Sequence, residues 1–249
     1  LSEIKKLPVI TKSDVLKNYS NIVSKIQEKS FFVNTSGTSG QRLKFPQTIS
    51  MENKQWAIWW RYRLLHNIRL HEWCGLFGGT VVVPPNQFKP PFWRNNFFNK
   101  QIMFSPIHLN IKNTIHYYNA IKIRKLTWLH GYPSQISKLA SNILELGLPP
   151  ISCVKIITTG SESLLKHQKV IIKKAFSCPV FNHYGLTEGS SNISQFPDGS
   201  YNPDQDFALT ELVPYDEKNN IYKIIGTNYS NLAFPLIRYD TGDLVELEK

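Results

Sequence analysis

Three separated stretches of this sequence carry residue types suited to holding a nucleotide. The first is Thr35-Ser36-Gly37-Thr38-Ser39-Gly40. Glycines let a backbone approach an anion closely, while free N–H groups and hydroxyls supply donors for phosphate oxygens. No Gly-Lys-Ser/Thr ends the run, so it is not a Walker-type loop. The second is Tyr184-Gly185-Leu186-Thr187-Glu188. Tyr184 offers a flat face to a purine, Thr187 a hydroxyl to a phosphate, and Glu188 a carboxylate to a divalent metal. The third is Arg238-Tyr239-Asp240-Thr241-Gly242-Asp243, whose last carboxylate can accept two hydrogen bonds from neighbouring hydroxyls such as a ribose presents. Each stretch also has a plain reading: a polar surface loop, a turn with a solvated Glu, and a β-turn.

The elements around these stretches place them. Thr11 to Asp14 reads as a helix cap, Phe31-Phe32-Val33 as a short strand leading into the hydroxyl-rich loop, and residues 51–68 as an aromatic-rich helix. Gly78-Gly79 reads as a turn and Val81-Val82-Val83, closed by Pro84-Pro85, as a buried strand. From residue 107 strand and helix alternate: helices over 110–125, 133–146 and 164–176, strands over 126–129, 154–157 and 179–182. That order predicts a parallel sheet flanked by helices, with Tyr184 at the carboxyl end of a strand, where open α/β sheets bind ligands. Beyond Ser190 shorter strands over 207–213, 221–226 and 237–245 predict a small β-rich subdomain. The expected fold class is therefore α/β, mixed or parallel sheets with a C-terminal β-rich part, divided as 1–190 (nucleotide-binding core) and 191–249.

Composition narrows the functional classes. With 41% hydrophobic and 19% charged residues, the 249-residue chain is too apolar to be disordered. The net charge of +11 raises nucleic-acid binding. The basic residues are scattered, however, and the densest spots sit on expected helices, so no nucleic-acid partner is expected. Cys74, Cys153 and Cys178 are far apart and form no C-x-x-C pair, which points to a reducing, cytoplasmic setting. No apolar run is long enough to span a membrane.

Taken in order and with domain-scale gaps, the three motifs make the chain resemble the adenylate-forming superfamily, closest to its phenylacetate–CoA ligase and CapK-like branch. Leu7-Pro8-Val9-Ile10-Thr11-Lys12-Ser13-Asp14, His130-Gly131-Tyr132-Pro133-Ser134, Thr159-Gly160-Ser161-Glu162-Ser163 and Phe234-Pro235-Leu236-Ile237-Arg238-Tyr239 carry the same likeness. The resemblance implies ATP-dependent activation of a carboxylic acid, an aromatic one among the candidates, followed by thioester formation with coenzyme A or a carrier thiol: an AMP-forming acid–thiol ligase using ATP and Mg2+. It implies that Thr35, Ser36, Gly37, Thr38, Ser39 and Gly40 grip phosphates and that Gly160, Ser161 and Glu162 line the adenine. Tyr184, beside Gly185, would stack on the base, Thr187 touch the α-phosphate, Glu188 hold magnesium, and Asp243 bind the ribose. Tyr132 and the Gly78-Gly79 turn would border the acyl pocket.

The chain departs from that pattern at Gln41 and Arg42, where the family continues with Lys and Pro; Arg42 or Lys44 could supply the missing charge. Phe196 and Asn202 stand where some members carry metal-ligating Cys and His, so no structural zinc is expected. The sequence stops shortly after Asp243, so the C-terminal lid domain of the family is expected to be missing and the fragment to be poorly active. Two other outcomes stay open: a catalytically inactive nucleotide-binding module, and an adenylating enzyme that passes its acyl group to an amine or sugar, as a role in capsular polysaccharide synthesis suggests.

Overall fold

The computed structural model describes residues 3–26, 28–35 and 42–247. In chain order the first elements are α1 (Lys12–Lys17), α2 (Tyr19–Ile22), β1 (Ser30–Asn34), β2 (Lys44–Thr48), α3 (Ile49–Leu65) and β3 (Cys74–Phe77). There follow β4 (Trp93–Asn96), β5 (Gln101–Phe104), α4 (Thr114–Ile123), β6 (Trp128–Gly131), α5 (Pro133–Glu145), β7 (Ile156–Gly160), α6 (Lys166–Phe176) and β8 (Val180–Gly185). The chain ends with β9 (Asn192–Gln195), β10 (Tyr201–Pro203), β11 (Ala208–Asp216), β12 (Ile221–Asn228) and β13 (Leu236–Glu246). It divides into two compact units, each discontinuous. One comprises residues 1–62, 184–194 and 200–249; the other comprises 63–183 and 195–199.

The second unit holds the alternating pattern. Its strands run in the order β8-β7-β6-β3-β5-β4. β8, β7, β6, β3 and β5 are parallel, and β4 pairs antiparallel to β5 at the edge. Buried strands such as β7, enclosed along its whole length, require helices to cover them. α5 shows why it covers one: Ile136, Leu139, Ala140 and Ile143 recur at helical spacing and are all fully buried. Its proline sits in the first turn, and Gly147 just beyond it takes a left-handed φ of 62°. Phe77, Phe104, Tyr117, Ile121, Leu129, Ile157 and Phe176 join these in one core.

The first unit is built on the three-stranded antiparallel sheet β11-β12-β13 and the two-stranded ribbon β1-β2. Thr11 caps α1 as expected, with its N–H donating to the Asp14 carboxylate at 2.9 Å and its hydroxyl accepting from the Asp14 N–H at 3.3 Å. Val15, Leu43, Phe45, Phe234, Leu236 and Tyr239 form its core, so the N-terminal segment and the C-terminal strands fold together.

One expected strand is absent. Residues 81–83 are irregular, and only Val83 of the three valines is buried. The strand lies just upstream as β3, between β5 and β6. The Gly78-Gly79 pair before the valines disfavours a strand, and Pro84 and Pro85 after them lack the N–H donors a central strand needs.

Candidate functional site

In the first unit a bulge aims the terminal aspartate. β12 and β13 pair Lys223 with Leu244 and Ile225 with Asp240, so Thr241, Gly242 and Asp243 face a single residue, Ile224. The extra residues arch out of the ladder, held by Thr241 Oγ1 donating to the Ile224 carbonyl (2.9 Å), the Gly242 N–H donating to Asp240 (3.0 Å) and the Asp243 N–H donating to Thr241 Oγ1 (3.1 Å). Gly242 takes φ 79°, a conformation that glycine adopts without penalty. The sequence read this as a tight turn; it is a bulge inside one continuous strand, a device that re-aims a side chain.

Asp243 is exposed and meets the second motif. The Tyr184 hydroxyl donates to Asp243 Oδ2 at 2.8 Å. Burial pushes the Tyr184 phenol well above its usual range, and the Asp243 charge adds to this, so the hydroxyl stays a donor. Glu188 lies close enough for its charge and that of Asp243 to act on each other. It is 6% exposed. Burial raises its pKa; its own backbone N–H, the Lys12 charge and the Tyr239 hydroxyl pull the other way without cancelling the rise. A buried carboxylate short of positive partners is suited to a cation. Thr187, next to it, is exposed, and Gly185 is half-buried.

Lys12 and Tyr239 entered the sequence reading only as parts of family-like stretches, and docking gives them their place. Ile10 forms a parallel bridge to Tyr239, with the Ile10 N–H donating to the Arg238 carbonyl (3.0 Å) and the Asp240 N–H to the Ile10 carbonyl (2.8 Å). Arg238 secures the same segment by donating to the carbonyls of Lys5 (2.8 Å) and Leu7 (2.6 Å) and to Glu211 (3.1 Å).

The fit of magnesium can be judged from the donors. Among the described residues no group of three or more His, Cys, Asp or Glu could hold a metal alone. Glu188 is a single hard oxygen donor with a neighbouring carboxylate, which fits an ion whose remaining ligands are phosphate oxygens and water.

Thr35 opens the hydroxyl- and glycine-rich motif. It is buried, its N–H donates to the Leu43 carbonyl (2.9 Å), and its hydroxyl accepts from the Leu43 N–H (3.1 Å). This clasp continues the β1–β2 ladder, which pairs Asn34 with Lys44. Ser36, Gly37, Thr38, Ser39, Gly40 and Gln41 lie outside the described residues.

Gly160, Ser161 and Glu162 belong to the second unit. Gly160 ends β7 opposite His183, and a Cβ on it would come 3.2 Å from the His183 carbonyl. Ser161 takes φ 64°, a left-handed conformation rare for a residue with a side chain and frequent at binding sites. Glu162 accepts from the N–H (3.1 Å) and hydroxyl (3.0 Å) of Ser134, at the start of α5, a favourable place for a carboxylate. The same unit sets Gly79 against Tyr132, whose ring and hydroxyl lie 3.1 Å from where a Cβ would stand. Beside them, Thr158 Oγ1 accepts from Trp128 Nε1 and contacts His130 Nδ1, each at 2.9 Å. Burial, Arg63 and His183 press His130 down to about 3, so its ring is neutral at physiological pH.

Solved structures share this fold, and three of them illustrate it. An open conformation of 2-hydroxyisobutyryl-CoA ligase, in complex with 2-HIB-AMP and CoA, superimposes with a TM-score of 0.65 at 16% identity, over 96% of this chain and 55% of the ligase. The anthranilate CoA ligase AuaEII, bound to anthranoyl-AMP, gives 0.53 at 13% identity over 87% and 45%. MbtA from Mycobacterium smegmatis gives 0.55 at 13% over 86% and 42%. Over about half the length of these proteins the chain has the same fold. Among curated proteins the chain is similar to Protein CapK from Staphylococcus aureus, 31% identical over 252 residues, which cover all of this chain and 55% of CapK. The chain thus spans about half the length of the proteins it resembles. No protein-family model matches it.

Proposed function

We propose that this chain is the nucleotide-binding body of an enzyme that joins a carboxylic acid to AMP and then passes the acyl group to a thiol, coenzyme A or a carrier. The observation that carries the reading is the Tyr184–Asp243 hydrogen bond with Glu188 beside it, on a fold shared with CoA ligases. Asp243 keeps one carboxylate oxygen beyond the tyrosine contact to accept ribose hydroxyls, and the anchored Tyr184 ring stacks on adenine. Thr187 reaches the α-phosphate. Thr35 and the loop it opens hold the β- and γ-phosphates. Glu188 would hold magnesium on the protein side, and the ion would supply countercharge to the phosphates. A carboxylate oxygen of the acid forms a bond to the α-phosphorus as the bond to pyrophosphate breaks. The thiol then attacks the acyl carbon, loses its proton, and AMP departs. The chain's residues align reactants and stabilise charge; no side-chain nucleophile is needed.

An amine or sugar acceptor, in a cell-surface polysaccharide pathway, is the second reading, supported by the likeness to CapK. Exchange of labelled pyrophosphate into ATP, measured across aromatic, aliphatic and hydroxylated acids, tests the first half. Exchange that depends on one acid and vanishes in Glu188→Gln is the expected result. ATP binding without exchange for any acid would instead establish an inactive nucleotide-binding module.

A further inference from the structure

We propose that the groove at the amino-terminal edge of the parallel sheet is a second binding site, for an amphipathic anion: a flat or short apolar body bearing one carboxylate or sulfonate. The groove lies wholly within the second unit and encloses about 740 Å3, within the range of small-molecule sites. Thr127, Lys155 and Pro179 line it and immediately precede β6, β7 and β8. It therefore opens at the strand ends opposite Gly160 and His183.

Its lining separates by chemistry. One wall is flat: the His66 ring stacks on Phe181 with centroids 4.0 Å apart and planes 30° apart, and His66 Nε2 sits 2.9 Å from the Gln195 carbonyl. Burial lowers the His66 pKa, so this wall is uncharged near neutrality. Ile156 and the partly open Leu65 extend it. Two exposed cations also line it, Arg69 and Lys155, the latter donating from Nζ to the Ser152 carbonyl at 2.9 Å. Among the described lining residues the one acid, Glu72, is engaged, accepting from the Thr127 hydroxyl (2.9 Å) and the Arg69 N–H (3.3 Å). An apolar wall beside two cations selects an apolar body with one negative group. Two side-chain cations without a glycine-rich approach do not suit a polyphosphate.

The test is a fluorescence titration of the chain with 8-anilinonaphthalene-1-sulfonate. Saturable one-to-one binding is expected, displaced by benzoate or octanoate but not by inorganic phosphate or ATP. Arg69→Glu combined with Lys155→Glu, both at exposed positions, should weaken binding at least tenfold without changing the melting temperature. Leu65→Trp, which fills the groove without removing the charges, should do the same. Displacement by ATP would place the probe in the nucleotide site, and displacement by phosphate alone would mark a bare anion site; either overturns the proposal, as does affinity within twofold of wild type in both variants. Because ATP competition is read separately, loss of this site leaves the adenylation reading untouched.

Discussion

Glu188 is the residue whose environment speaks most directly about chemistry. It is buried, its pKa is raised chiefly by desolvation, and Asp243 raises it further. The folded chain therefore holds this proton more tightly than the unfolded chain does. The stability so gained is fully present below the ordinary value of 4.5 and is lost as pH climbs through the folded value. Glu188→Gln removes the charged form, so at pH 7–8 the ligand-free variant should melt above wild type, by about 2–4 °C for each kcal/mol of relieved desolvation. The difference should shrink to nothing near pH 4. A melting temperature that falls at neutral pH would show that the carboxylate is a structural ion-pair member instead. As candidates, by residue type and motif, Tyr184, Glu188 and Asp243 were legible in the sequence. The contact between Tyr184 and Asp243 was not, because 59 positions separate them.

Among the elements, β13 and the N-terminal segment illustrate what patterns reveal and what they hide. The alternation over residues 110–182 and the three strands beyond residue 206 were legible, since buried parallel strands are apolar runs and α5 repeats its apolar residues every three or four positions. β2, β4 and β9 were not: Lys-Phe-Pro-Gln-Thr, Trp-Arg-Asn-Asn and Asn-Ile-Ser-Gln carry too few apolar residues to announce strands. β9 is nonetheless fully buried, because tertiary partners satisfy it: within the first unit Asn192 (2.6 Å) and Ser194 (2.7 Å) donate to the buried Asp204, which Arg61 also contacts at 2.5 Å. The docking of residues 5–10 on β13 was equally invisible. Arg238→Ala deletes three hydrogen bonds and leaves the part-buried Glu211 without its guanidinium, so a loss of about 1.5–3 kcal/mol is expected in denaturant unfolding. A loss below 1 kcal/mol would mean that the N-terminal segment docks without this clamp. In the second unit, His130 is kept neutral to about pH 3. Its folded pKa is depressed, so stability is complete above pH 6.5 and drains away as pH falls toward 3, at no more than about 1.4 kcal/mol per pH unit for this group. His130→Gln should flatten the acid limb of the stability profile; an unchanged limb would assign it to other groups.

For the molecule as a whole, the net charge of +11 and the nucleotide reading compete for the same observations, since a basic surface attracts any polyanion. What separates them is recognition of the sugar. An account based on Asp243 requires that the ribose hydroxyls be felt; a charged surface is indifferent to them and answers only to salt. Isothermal titration of the chain with ATP and with 2′,3′-dideoxy-ATP, in wild type and in Asp243→Ala, measures that difference directly. Wild type should bind ATP at least tenfold more tightly than the dideoxy analogue, about the value of charge-assisted hydrogen bonds from two hydroxyls, and Asp243→Ala should bind the two equally. If wild type shows no preference, or if the preference survives in Asp243→Ala, then Tyr184, Glu188 and Asp243 do not form an adenosine site.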